Sequence, residues 1–191
     1  TILVDTGEYP LFDSIAVSGS RDLGLGLDEG FRITGPTAES AVAHLFPAVA
    51  GARPAALIEL VDADFVTVEH FTLTDATRGL WVHDGSERFR ASFVTASGHL
   101  QEGIRISTGS PNSEFRGLVA FDNDATGISL DGSFGQILDA RAHDNTGDGL
   151  RIDGAVGKVD RAIAYRNRDH GLYLQNPGAV SVERSEAYEN R

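Results

Sequence analysis

One four-residue form, Gly-apolar-x-apolar, recurs five times: GLWV from Gly79, GIRI from Gly103, GISL from Gly127, GLRI from Gly149 and GLYL from Gly171. The steps between the glycines are 24, 24, 22 and 22 residues. Self-similarity at such a period describes stacked units, each too small to bury its own apolar face, so neighbours must bury it together. Two more pieces keep the same beat. Asn123, Asn145 and Asn167 each stand four residues ahead of a glycine, and a turn follows the apolar stretch as Asp84-Gly85, Asp131-Gly132 and Asp153-Gly154, with Asn176 in the same place later.

A strand sends alternate side chains to opposite faces, so Leu150 and Ile152 point one way and Arg151 the other. Stacking such strands from successive coils buries the apolar face and pairs each backbone with the coils on either side. The glycine is expected to permit the bend that enters the strand. An Asn at one fixed place per coil passes amide hydrogen bonds along the stack.

These residues resemble the right-handed parallel β-helix of the pectin lyase-like proteins, with repeats of the form Asn-x-x-x-Gly-apolar-x-apolar. The resemblance covers residues 56–191, and right-handed crossovers agree with it. The expected fold is all-β, a single solenoid over residues 1–191 with coils of about 22–24 residues. Residues 1–55 read as irregular opening coils, in which TILVDTGEYP and GFRITGP are strand-turn pieces. Ile58 and Leu60 take the roles of Leu80 and Val82. The stretch 37–56 is rich in Ala and punctuated by proline and reads as a short helical or irregular excursion. The closing EAYENR repeats the lead-in to a strand, so the chain reads as an excerpt whose partners include further coils of a parent protein.

Composition narrows the function classes. The net charge of -12, with Lys158 the only lysine among sixteen basic residues, opposes nucleic acid and anionic lipid. No apolar run approaches the roughly 18 residues of a membrane span. The absence of cysteine removes disulfides and thiol chemistry. The histidines lack the spacing of a zinc site, and the stretch DNDATG lacks an EF-hand's closing Glu because Ser133 stands there.

Alternation places Trp81, Arg105, Ser129, Arg151 and Tyr173 in one outward row about 4.8 Å apart, with His83, Asp84, Asp131 and Asp153 beside it. Aromatic faces and arginine forks suit sugars and their acidic substituents. A second outward row, Phe121, His143, Tyr165 and Tyr188, is either a stacking rail for a glycan or cross-strand packing. In pectate-lyase-like enzymes, acidic residues bind calcium and an Arg or Lys abstracts a proton on the outside of one sheet. By that resemblance Asp131 and Asp153 would hold calcium, and Arg105 or Arg151 would be the base. The resemblance stops there. No Asp-Pro-His of the mannuronan epimerases occurs, and the polygalacturonase signatures are approached only by Asp169-His170-Gly171. The expectation is therefore a secreted or cell-surface β-helix, a rigid scaffold or adhesin-like module that contacts polysaccharide and requires no cofactor. The alternative is a calcium-assisted lyase or C5-epimerase acting on acidic glycans.

Overall fold

The computed structural model describes residues 1–18, 30–38, 41–107, 110–154 and 157–191. All strand pairs among them are parallel. The first sheet has seven strands: Ile15–Ser18, Ile58–Val61, Leu80–His83, Ile104–Ile106, Ile128–Asp131, Leu150–Asp153 and Leu172–Gln175. The second and third sheets form one network of fourteen strands, because Val66–Thr74 and Arg90–Ser97 run through both. His70 (φ 62°) and Phe93 (φ 53°) turn these long strands at the shared corner, and Gly117, Asp139, Arg161 and Arg184 repeat the left-handed conformation there in later coils. One such residue per coil bends the chain without a loop, so the corner stays in register.

Register follows from the repeat. Leu80, Ile104, Ile128 and Leu150 align, as do Val82, Ile106, Leu130 and Ile152, and all eight are buried. Ile58 and Leu60 extend both rows, as the sequence predicts. Phe89 and Phe115 fill the core beside the second sheet, their rings tilted at 5.9 Å. The third sheet contributes a row of small residues, Ala96, Ala120, Ala142, Ala164 and Ala187.

The excursion expected at 37–56 is corrected in part. Ala43–Pro47 is a strand of the third sheet, paired with Gly7–Leu11 and with Phe71 to Leu73 of the long strand. Ala43 and Leu45 point inward and are buried, so period-2 alternation outweighs the Ala-rich composition. Pro47 closes the strand, a position that tolerates a missing N–H. On either side of this strand the described residues 37–38, 41–42 and 48–56 are irregular, and positions 39–40 lie outside the described residues.

The asparagine ladder is continuous. The Nδ2 of Asn123 donates to Asn145 Oδ1, Asn145 to Asn167 and Asn167 to Asn190, each at 2.9 Å. Each amide also donates to an alanine carbonyl of the previous coil, Ala96, Ala120, Ala142 and Ala164 in turn. His99 occupies the place before Asn123. Its Nδ1 accepts the Ala76 N–H at 3.2 Å and its Nε2 donates to Leu73 O at 3.1 Å, the carbonyl in register with Ala96. One imidazole edge thus replaces one carboxamide.

The glycines serve this ladder rather than the bend. None of Gly79, Gly103, Gly127, Gly149 and Gly171 has a positive φ. A Cβ at Gly79 would instead sit 2.8 Å from His99 Nε2, and at Gly103, Gly127 and Gly149 it would sit 2.6 to 2.8 Å from the Nδ2 of Asn123, Asn145 and Asn167. Each glycine therefore makes room for the amide one coil later, which is why Asn and Gly recur together.

Burial lowers the His99 pKa from its ordinary 6.5 to about 4, against the raising effect of its bonds to Leu73 and Ala76. The unfolded chain then binds more protons than the folded one between those values. The stabilising difference is full above pH 6.5 and lost as pH falls to about 4. It amounts to about 3 kcal/mol. Thermal melts from pH 7 to pH 4 are expected to show this loss in the parent and to show it flattened in His99→Asn, which keeps the ladder without a titrating group. Equal acid sensitivity in the two proteins would exclude His99 as its source.

Candidate functional site

The outer face of the first sheet carries three columns. The middle one is Trp81, Arg105, Ser129, Arg151 and Tyr173, in register as predicted, and Glu59 extends it ahead of Trp81. The column after it holds His83, Ser107, Asp131, Asp153 and Gln175. The column before it holds the residues preceding each glycine: Arg78, Glu102, Thr126, Asp148 and His170. Sequence reasoning missed this last column because its members share an offset and no residue type. Writing the chain in coil register would have exposed it.

The side chains on this face hold one another. Arg78 Nε donates to Glu102 Oε2 at 2.9 Å, and Arg105 spans Glu102 Oε1 at 2.6 Å and Asp131 Oδ2 at 2.7 Å. Arg105 Nε also donates to Ser107 Oγ at 2.9 Å. Burial alone would raise the Glu102 pKa, but a backbone hydrogen bond and the Arg105 and Arg78 guanidiniums outweigh it and lower it. Trp81 has the Arg78 guanidinium 4.6 Å from its ring centre and the His83 imidazole stacked at 4.0 Å. His83 in turn contacts Glu59 and Asp84, each at 3.0 Å. Ser129 is buried between Arg105 and Arg151.

The far end of the face is more open. Arg151 donates to Gln175 Oε1, lies 3.9 Å from Asp153 and stands over the Tyr173 ring at 5.3 Å. His170 is 59% exposed, and its Nδ1 lies 2.9 Å from the buried carboxylate of Asp148, which also accepts the His170 backbone N–H. The His170 and Tyr173 rings are 4.9 Å apart.

Asp131 and Asp153 sit opposite each other on neighbouring strands. Asp131 is engaged by Arg105, and Asn176 donates to Asp153 at 3.3 Å. Among the described residues no group of three or more His, Asp or Glu gathers to hold a metal. Calcium takes six to eight oxygens, of which these two carboxylates would supply only a part.

The aromatic row on the third sheet forms as predicted. Phe121, His143, Tyr165 and Tyr188 stack at 5.2, 4.7 and 5.2 Å with planes within 9° of parallel. Their faces are turned to one another, so solvent meets ring edges and a sugar ring finds no flat surface between them. Asp144 braces the row: its carboxylate lies 2.7 Å from His143 Nδ1. The Arg166 guanidinium holds it well below the usual carboxylate range, with His143 adding to that and burial opposing it.

Compared with solved structures, the chain superposes on the pectate lyase Pel9A with a TM-score of 0.71 at 14% identity, over 99% of its own length and 60% of the lyase. The fold is a right-handed parallel β-helix. The β-helix also matches the enzymatically active domain of the bacteriophage CBA120 tailspike protein 2, with a TM-score of 0.51 at 11% identity, over 99% of its own length and 38% of that chain. No family model and no curated protein matches the β-helix by sequence. Among the described residues no helix is long and apolar enough to cross a membrane.

Proposed function

We propose that this β-helix is a rigid, non-catalytic module, secreted or displayed at the cell surface, that contacts polysaccharide through the outer face of its first sheet. The observation that carries the reading is Arg105, gripped between Glu102 and Asp131 at 2.6 and 2.7 Å. With two of its nitrogens bonded to carboxylates, the guanidinium is not free to turn toward a substrate, and the same bond occupies Asp131, the other half of a calcium-assisted elimination. The two solved structures of like fold are named for enzymes, one of them a pectate lyase, which supports polysaccharide as the partner class.

A second reading, a lyase or C5-epimerase, is favoured by one arrangement: Arg151, Tyr173 and an exposed His170 oriented by Asp148. A base held by a carboxylate beside a cation is a recurring acid-base arrangement. Proton NMR of neutral glycans and polyuronates incubated with the protein, with and without calcium, separates the two. The scaffold reading expects selective line broadening with unchanged sugar signals. New olefinic or epimerised signals, abolished by Arg151→Ala, would replace it with the enzyme.

A further inference from the structure

The charge on the first-sheet face decides which polysaccharide it can take. Three arginines, Arg78, Arg105 and Arg151, stand there against five carboxylates, Glu59, Glu102, Asp131, Asp148 and Asp153. Two of the arginines are already bonded to carboxylates, and the chain as a whole carries -12. A polyanionic chain approaching this face meets a field of its own sign. The remedy that acidic proteins use for acidic sugars, a bridging divalent cation, finds no cluster of three or more His, Asp or Glu among the described residues.

The open end of the face suits another chemistry. Arg151, Asp131 and Asp153 have side chains 38%, 36% and 32% exposed, against 18% for Arg78 and 14% for Glu102 and His83. A hydroxyl donates and accepts at once. It is matched by a fixed set of acceptors (Asp131, Asp153) and donors (Arg151, the Tyr173 hydroxyl), with Gln175 serving as either. Arg151 is bonded to Gln175 and lies beside Asp153 and the Tyr173 ring, and Asp131 is held by Arg105, so little side-chain freedom is lost on binding. Strands repeat about every 4.8 Å across the sheet, close to the rise of one pyranose unit along an extended chain, and the Tyr173 ring supplies an apolar surface.

Building on the glycan-contact reading, we infer that the occupant is an uncharged polysaccharide, bound across Asp131, Arg151, Asp153, Tyr173 and Gln175. Native gels cast with galactomannan, mixed-linkage β-glucan or dextran, and in parallel with polygalacturonate or alginate, test this, with calorimetric titration of any polymer that retards the protein. At least one neutral polymer should retard it, with little response to salt or calcium. Tyr173→Ala and the milder Arg151→Gln should each weaken binding at least about tenfold, while Arg161→Ala, at the corner between the other two sheets, leaves it unchanged; melting curves confirm that each variant is folded. Retardation by a polyuronate alone, steeply salt- or calcium-dependent and lost in Arg151→Gln, would overturn the uncharged class and leave glycan contact standing. Retardation by no polymer, or retardation indifferent to both face variants, would overturn the glycan-contact reading and this inference with it.

Discussion

Asn145→Ala should melt well below the parent, by roughly 8–15 °C. Asn145 is 1% exposed and sits mid-ladder. Its Oδ1 accepts both the backbone N–H and the side-chain Nδ2 of Asn123, and its own Nδ2 reaches the Ala120 carbonyl at 3.1 Å. Truncation leaves the Asn123 N–H and the Ala120 carbonyl without these partners and takes one of two bonds from Asn123 Nδ2 and from Asn167 Oδ1, a buried polar group costing about 1–3 kcal/mol when stranded. A total of roughly 4 kcal/mol, at about 2–4 °C per kcal/mol for a domain of this size, sets the expected shift. Asn190→Ala should cost less, because the same three bonds, from the Asn167 N–H and Nδ2 and to the Ala164 carbonyl, are only part-buried there. Calorimetric melts of the two variants beside the parent check the contrast, and an Asn145→Ala shift no larger than that of Asn190→Ala would mean that the ladder contributes little. Asn145→Asp keeps the acceptor but loses the donor and buries a charge, so it should do no better than alanine.

Gly127→Ala is expected to be the other large loss, opposite in sign to what local propensity implies. Replacing a glycine of ordinary negative φ with alanine usually helps by about 0.4–1 kcal/mol, because glycine surrenders more conformational freedom on folding. Here the new Cβ would lie 2.6 Å from Asn145 Nδ2 and 2.9 Å from the Gly149 carbonyl oxygen. Neither neighbour yields cheaply, since one is a locked ladder amide and the other is backbone. The expected loss is about 3 kcal/mol. Gly154→Ala is the contrasting control: nothing lies near its Cβ, and only its φ of +63° penalises a side chain, at a cost of about 1–2 kcal/mol. Because Gly127 and Asn145 touch across coils, the double variant should be at least about 1 kcal/mol more stable than the two single losses predict. Additive losses in a denaturant titration would show that the glycine is needed for some other reason.

The same two residues mark the boundary between local and tertiary information. The five glycines, the alternation after each and the asparagines at a constant offset are local, periodic signals, and period carries directly into register when every coil repeats its neighbour. Ile58 and Leu60, the Trp81-to-Tyr173 row and the Phe121-to-Tyr188 row therefore all fell where alternation placed them. What periodicity could not convey was contact between coils. Gly127 meets Asn145, 18 residues away, only after one full turn, so a glycine read as a bend is in fact a clearance. His99 carries a different residue name from its ladder partners, and only its two hydrogen bonds show that it is one of them. Arg105 counts as a free arginine in a sequence, yet once folded it is held by Glu102 and Asp131.

For this protein, then, fold class, coil length and the facing of each row were set locally by the alternation of apolar and polar residues. The partners of each outward charge, the juxtaposition of Asp131 and Asp153 and the stacking of the aromatic rings were decided only by contact between coils. They depend on distances between residues one coil apart, and the chain acquires those distances only when the solenoid closes its hydrogen bonds.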